Sequence, residues 1–150
     1  MAAKTSVKLV ISSHIGLIDL VHAASEMTAE SVGFDADEAL NVGLAVREAV
    51  INAMTHGNGE DPNLKVTVTL TSDETRLVAK VSDQGNGFDP AGTPDPTDGA
   101  NLLKKSGRGL LLMEAFVDKV KFRRRPRGGT EVTMIKRLPA VKENGNEEAT

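Results

Sequence analysis

Residues Glu48 to Gly57 have the sequence EAVINAMTHG, and residues Asp83 to Phe88 have the sequence DQGNGF. In the first stretch Glu48, Asn52 and His56 recur every fourth position, which on a helix places a carboxylate, an amide and an imidazole on one face. In the second stretch an acidic residue ends an alternating apolar run, and the glycines after it allow the backbone to come close to a ligand. Together the two stretches indicate a nucleotide site.

The rest of the chain supplies a pattern of strands and helices around these two stretches. Alternating apolar residues predict a strand over 7–11, a hairpin over 64–70 and 76–82, and a second hairpin over 120–123 and 129–136. Helical spacing predicts helices over 15–27, from residue 35 to about residue 57, and over 109–116. Because the strands are grouped, we expect an α+β two-layer sandwich, a mostly antiparallel sheet with helices on one face.

The longest predicted helix has clear signals at both ends. Asp35 is a capping residue with Glu38 three positions later, which is typical of a capping box at a helix start. The apolar periodicity continues to Met54, and we expect the helix to end near Gly57 with a left-handed cap. Glu48, Asn52 and His56 would then lie in its C-terminal half.

Composition favours a single cytoplasmic domain. The chain has 150 residues, no cysteine and no apolar run long enough to cross a bilayer, so we predict a domain over 6–138 and a polar, flexible tail over 139–150. Residues 90–107 are rich in glycine, proline and aspartate, which is typical of a functional lid loop or a disordered segment. A net charge of −3 gives no general reason to expect nucleic-acid or membrane binding.

Three of the polar residues suit the parts of a nucleotide. A carboxylate such as Asp83 accepts hydrogen bonds only, so it would select the exocyclic amine of adenine over a carbonyl oxygen. The amide oxygen of Asn52 suits Mg²⁺, which prefers oxygen ligands and bridges to phosphates, and Glu48 could be a general base. Each has a plainer alternative: Asp83 could start a turn, Asn52 could be an exposed or hydrogen-bonded helix residue, and Glu48 could be a solvated helix residue. His56 near a helix end can simply interact with the last carbonyl groups.

A second glycine-containing segment, SGRGLLLM over 106–113, begins the last predicted helix. Free backbone N–H groups at a helix start can hold phosphate oxygens, and Arg108 could add a charge-assisted contact. An ordinary junction between a loop and a helix remains an equal alternative. Thr130, which follows two glycines, offers a hydroxyl or is an ordinary strand residue.

The order of these motifs resembles a known family. Glu-x-x-x-Asn-Ala-x-x-His-Gly, Asp-x-Gly-x-Gly-Phe, Gly-Arg-Gly-Leu-Leu-Leu-Met-Glu and Gly-Gly-Thr-x-Val are similar, over about 7–138, to the ATP-binding domain shared by gyrase, histidine kinases and mismatch-repair ATPases. Their spacing most resembles the bacterial anti-sigma factor serine kinases. The arginine in the second glycine box and the basic last hairpin depart from the family pattern.

The resemblance implies ATP and Mg²⁺ as cofactors, with Glu48 as the base that deprotonates a serine of the partner and Asn52 on the metal. It also implies a set of nucleotide-binding residues: Asn52, Asp83, Gly85, Gly87, Gly107, Arg108, Gly109, Leu110 and Thr130. The implied partners are a sigma factor, an anti-sigma factor antagonist that accepts the phosphate, and a second copy in a homodimer.

Two other functions remain open on the sequence. A non-catalytic, ATP-responsive interaction module would need Asp83 and Asn52 but not Glu48, and a detached histidine-kinase catalytic domain would phosphorylate a histidine elsewhere. The basic run Lys119 to Arg127 also has several interpretations. It is most simply a solvated hairpin face, next an acidic-protein site, and least a DNA site because aromatic and groove-reading elements are missing.

Overall fold

A computed structural model describes residues 4–85 and 108–139. The sheet has five strands: β1 (Thr5–Ser12), β2 (Lys65–Ser72), β3 (Arg76–Ser82), β4 (Lys119–Arg124) and β5 (Thr130–Arg137). Their spatial order is β1-β2-β3-β5-β4, and every neighbouring pair is antiparallel. The predicted α+β class and both predicted hairpins are confirmed.

The helices follow the predicted order. A short 3-10 turn, Ile15–Leu17, leads into α1 (Ile18–Ser31), and α2 (Ala36–Asn52) continues into a π-helical turn, Ala53–Gly57. The helix after the second glycine box, here α3, spans Arg108–Phe116. None of the helices in the described part of the chain is long and apolar enough to cross a membrane.

The predicted start of α2 is confirmed, and the helix continues to Gly57 as predicted, but its last turn is π-helical and Gly57 does not form the predicted left-handed cap. The Asp35 side chain accepts a hydrogen bond of 2.8 Å from the backbone N–H of Glu38, as a capping residue should. At the other end the helix widens: the N–H of Asn58 donates to the carbonyl of Ala53, five residues earlier, at 2.7 Å. The left-handed conformation expected at Gly57 therefore occurs later, at Gly59 (φ 60°) and Glu60 (φ 62°).

One face of the sheet forms the core with the helices. The row Leu9, Val68, Val81, Val132 and Phe122 crosses all five strands in register. Against this face α2 buries Val42, Val46, Ala49 and Val50, and α1 packs on α2. Burying one such aliphatic side chain contributes about 1.5 to 3 kcal/mol, so α2 is firmly held and its C-terminal half is a rigid support for side chains.

Candidate nucleotide-binding site

Asp83 follows directly after β3 and is the best-fixed of the predicted site residues. Its side chain is 4% exposed, and its Oδ1 accepts hydrogen bonds of 3.1 Å from the backbone N–H groups of Thr130 and Gly85. Its own backbone N–H donates to the carbonyl of Thr130 at 3.0 Å. Two of the predicted nucleotide residues, Gly85 and Thr130, are therefore brought into direct contact with Asp83.

Three glycines surround this aspartate. A Cβ at Gly57 would overlap the Asp83 carboxylate, with Oδ2 as its nearest atom, and a Cβ at Gly129 would overlap the Asp83 carbonyl oxygen. A Cβ at Gly85 would overlap the carbonyl of Gly57. Since no other residue lacks a Cβ, these positions require glycine for close approach. Oδ1 is held by backbone N–H groups, and Oδ2 lies over Gly57.

Burial changes the protonation of this carboxyl. Loss of solvation raises the pKa of Asp83 from 3.8 to about 6, opposed by the hydrogen bonds from Thr130 and Gly85 and by the charge of Arg125. The group is still mostly ionised at neutral pH. It can therefore accept a hydrogen bond from an amine in a site that is otherwise shielded from water.

Asn58 connects the π-helical turn to the strands beside it. Its buried Nδ2 donates to Ser13 Oγ at 2.8 Å and to the carbonyl of Lys65 at 3.1 Å. Its Oδ1 accepts from the backbone N–H of Gln84 at 2.9 Å. These bonds fix the segment after β3 against the end of the helix, since a broken bond would leave a buried polar atom unsatisfied.

Arg125 comes from the turn between β4 and β5 and reaches the same place. Its guanidinium donates a 2.9 Å hydrogen bond to the backbone carbonyl of Asp83. The residues of the basic run Lys119 to Arg127 therefore have different surroundings. Arg125 supports the pocket, whereas Lys119, Lys121 and Arg123 are exposed on β4. The positive charge of Arg125 also favours the ionised form of the buried Asp83 carboxyl and so opposes the rise of its pKa.

Glu48 and Asn52 lie one helical turn apart on the last turns of α2, just before the π-helical turn that ends at Gly57. The Asn52 side chain is half-buried, and its amide nitrogen is buried with no hydrogen-bond partner among the described residues. An unsatisfied buried amide is costly unless a ligand or water completes it. The unpartnered Nδ2 could donate to an oxygen of a bound nucleotide, whereas a metal would have to be held by the Oδ1 of the same amide. Glu48 is half-buried, and His56 is exposed.

The glycine box before α3 lies partly outside the described residues. Gly107 and the Arg108 side chain lie outside the described residues. The same is true of Gly87 from the first glycine motif and of the predicted lid over 90–107. Gly109 is buried and Leu110 half-buried in the first turn of α3. The roles predicted for these residues remain predictions.

Sequence reasoning missed several residues of this site. The sequence indicates only a helix cap at Gly57, and it assigns no site role to Asn58, Arg125 or Gly129. The motif contained a signal for two of them, because a glycine next to a predicted ligand can mark close backbone approach. The contacts of Asn58 and Arg125 join residues 26 and 42 positions apart, which local periodicity does not reveal.

Comparison with known proteins agrees with this geometry. Residues 15–136 match the family model of the histidine kinase-like ATPase domain. The chain belongs to this family. Serine-protein kinase RsbW of Bacillus subtilis (strain 168) is 32% identical over 131 residues, covering 83% of this chain and 79% of the relative. The anti-sigma F factor of Pasteuria penetrans is 34% identical over 108 residues, covering 69% of this chain and 71% of the relative.

Solved structures show the same fold. The RsbU and RsbW domains of a Mycobacterium tuberculosis protein align with a TM-score of 0.62 at 24% identity, over 91% of this chain and 34% of that one. The catalytic domain of the histidine kinase ThkA aligns with a TM-score of 0.51 at 15% identity, over 93% of this chain and 100% of that one. The predicted resemblance to the anti-sigma factor serine kinases is confirmed by the relatives.

Proposed function

We infer that this chain is an ATP-dependent serine kinase of the anti-sigma type. The observation that carries this proposal is the joint presence of a buried adenine-type carboxylate, Asp83, and the Glu48–Asn52 pair one turn apart on α2. Relatives named serine-protein kinase RsbW and anti-sigma F factor support it. The substrate would be a serine of an anti-sigma factor antagonist, and the second partner a sigma factor.

Adenine would be recognised at Asp83. The exocyclic amine would donate to Oδ2, since Oδ1 already accepts from Thr130 and Gly85. The Thr130 hydroxyl would lie beside the base. Gly57, Gly85 and Gly129 let the neighbouring backbone pack directly against Asp83 and Gly57, which would hold the carboxylate in a fixed position for the base.

The phosphate end would lie towards α2 and the start of α3. Mg²⁺ would bind the Asn52 side-chain oxygen together with phosphate oxygens, and it would neutralise charge that develops on the transferred group. Backbone N–H groups at the start of α3, around Gly109 and Leu110, would hold further phosphate oxygens. Gly87, Gly107 and Arg108 would complete this end of the site.

Glu48 would act as the general base. The serine oxygen of the antagonist attacks the γ-phosphorus, the bond from this phosphorus to the β–γ bridging oxygen breaks, and ADP leaves. The serine proton passes to the Glu48 carboxylate, which can accept it from hydrogen-bond distance. Position, rather than a covalent intermediate, supplies most of the catalysis in such a transfer.

Three variants test these roles in one assay with labelled ATP and a candidate antagonist. Glu48→Gln keeps the shape of the side chain but removes the base, so we expect ATP binding within about twofold of wild type and a loss of transfer of about 100-fold or more. Asp83→Asn replaces the charged carboxylate with a neutral amide, one end of which donates instead of accepting. Asn52→Ala removes the proposed metal ligand. Both should weaken ATP binding itself, by about tenfold or more.

The ATP-induced rise in melting temperature reports binding separately from transfer. Normal transfer by Glu48→Gln would contradict the base assignment. ATP that remains intact while a sigma factor and an antagonist exchange would instead support the non-catalytic module. Absence of any ATP-induced stabilisation would contradict the nucleotide site as a whole.

A further inference from the structure

The face of the sheet that points away from the helices is strongly basic. Eight exposed cationic side chains occupy its outward positions: Lys8, Lys65, Arg76, Lys80, Lys119, Lys121, Arg123 and Arg137. Its one carboxylate among the described residues is Glu131, which forms a 3.0 Å ion pair with Arg123. The whole chain nevertheless has a net charge of −3, so positive charge is concentrated on this outer sheet face.

The cations have a regular arrangement across the strands. Lys8, Thr69, Lys80, Thr133 and Lys121 form one register row from β1 to β4. Neighbouring strands lie about 4.8 Å apart, so the three lysines of this row, on alternate strands, recur about every 9.6 Å. The short side chains of Thr69 and Thr133 lie between the lysines.

This spacing fits carboxylates on a helix. Residues seven positions apart on an α-helix lie on one face about 10.5 Å apart, and a flexible lysine stem can absorb the difference of about 1 Å. A helix lying across the strands would therefore place acidic residues at i, i+7 and i+14 opposite Lys8, Lys80 and Lys121. Positive charge facing negative charge fixes register and speeds encounter.

Other features of the outer sheet face disfavour nucleic acid. Its outward side chains include no aromatic residue among the described positions, so bases have nothing to stack on. A five-stranded sheet is also broader than the single helix or two-stranded ribbon that the major groove of DNA admits. A second copy is disfavoured because two such faces would bring lysines against lysines.

We propose that the outer sheet face binds an acidic helix of a protein partner, with carboxylates at heptad spacing. The proposal does not depend on phosphoryl transfer, since none of the proposed nucleotide or catalytic residues belongs to this face. It gives a role to Lys119, Lys121 and Arg123 of the basic run, whereas Arg125 serves the pocket.

The test uses a fluorescent, uncharged alanine–glutamine helix into which three glutamates are placed seven residues apart. A peptide of equal composition with the three glutamates consecutive is its control. At about 50 mM NaCl we expect the spaced peptide to bind the full chain at least about fivefold more tightly than the control peptide, measured by fluorescence anisotropy. Binding should weaken by about 300 mM NaCl.

Lys80→Glu and Arg127→Glu provide matched protein variants. Both reverse one exposed charge, but Lys80 lies in the middle of the row and Arg127 lies in the turn between β4 and β5. We expect Lys80→Glu to weaken the spaced peptide about five- to tenfold and Arg127→Glu less than about twofold. Both should keep the wild-type melting temperature shift with ATP, which shows that the fold and pocket are intact.

Equal effects of the two variants, equal binding of the two peptides, or no binding of the spaced peptide would each overturn the proposal. A duplex DNA of mixed sequence is measured in parallel. Tighter binding of this duplex than of the spaced peptide, lost in Lys80→Glu but not in Arg127→Glu, would assign the face to nucleic acid and also overturn it.

Discussion

At the scale of single residues, Asp83 combines deep burial with a charge. Its side chain is 4% exposed, and burial raises the pKa of its carboxyl to about 6. An aspartate in the unfolded chain has a pKa near 3.8, so between about pH 4 and pH 6 the folded protein binds more protons than the unfolded one. The contribution of Asp83 to the free energy of unfolding therefore falls as pH rises through this window. The site thus gives up stability in order to keep a charged acceptor.

This balance predicts a pH dependence of adenine binding. If the ionised carboxylate is the acceptor, the affinity for adenosine should be constant above about pH 7 and should decrease below pH 6. The decrease should approach about tenfold for each pH unit. Adenosine is the appropriate ligand because it has no phosphate that titrates in this range. The affinity can be measured by calorimetry or by NMR titration.

Glu48→Gln is the control for this experiment, because it removes another carboxylate near the proposed site and keeps Asp83. It should show the same pH profile as wild type. An affinity that stays constant from about pH 7.5 to about pH 5 would contradict the assignment of Asp83 as a charged acceptor.

At the scale of elements, the pocket depends on how the π-helical turn meets the end of β3. The chain after β3 packs so closely on Gly57 that a Cβ there would overlap the Asp83 carboxylate. Asn58, the next residue, holds Gln84 by a 2.9 Å hydrogen bond. The wider π-helical turn thus sets where Gly57 and Asn58 meet the chain after β3, which a regular α-helical turn would place differently.

Gly57→Ala should therefore damage the site more than the fold. Gly57 does not adopt a left-handed conformation, so alanine meets no backbone strain, but its methyl group must displace the Asp83 side chain. We expect about 1 to 3 kcal/mol of overpacking and a loss of at least about tenfold in ATP affinity, measured by calorimetry.

Gly59→Ala is the contrasting variant. Gly59 has a φ of 60°, and no atom lies within 4 Å of the position that a Cβ would take there, so alanine strains the backbone without touching the pocket. It should lower the free energy of unfolding by about 1 kcal/mol and leave ATP affinity within about twofold. Equal losses of affinity in the two variants would refute close packing as the role of Gly57.

The elements also show how far the sequence could predict this structure. The alternation in β1, β2 and β3 and the capping by Asp35 are local patterns, and they correctly indicated the strands, the helix start and the fold class. The helix end near Gly57 was predicted as well, but its π-helical last turn and the missing left-handed cap at Gly57 were not, because this conformation depends on distant partners. Ser13 and Gln84, which hold Asn58, lie 45 and 26 residues away from it along the chain.

In the candidate site, too, some residues could be predicted from the sequence and others could not. Motif order singled out Asp83, Gly85 and Thr130, which the structure brings into hydrogen-bond contact. Arg125 could not be assigned from its neighbours, since in a run of arginines and lysines only the hairpin geometry decides which one turns towards the pocket.

At the scale of the whole molecule, charge is separated between two sides. The helix side of the sheet is filled by the core and the α-helices, and the outer sheet face carries eight cations and one paired carboxylate among its described residues. Because the net charge of the chain is −3, the remaining surface carries the balancing negative charge. Such separation favours association through unlike surfaces.

Charge separation restricts the homodimer that belongs to the proposed function. Packing two outer sheet faces together would place Lys8, Lys80 and Lys121 of one copy against the same row of the other, and like charges at an interface are strongly unfavourable. We therefore predict that any homodimer uses a different surface. Its association constant, measured by sedimentation equilibrium, should be the same within about twofold for wild type, Lys80→Glu and Arg127→Glu.

A dimer formed through the outer sheet faces would respond differently to these variants. If the dimer did form through the outer sheet faces, Lys80→Glu would lower the net charge of each facing row from three to one, and the weaker repulsion would strengthen association by about tenfold or more, while Arg127→Glu would not. Higher salt would also strengthen a wild-type dimer of that kind, because screening weakens repulsion between exposed charges. A chain that stays monomeric at every concentration would contradict the homodimer itself and leave the acidic-helix site unaffected, since that site needs only one copy.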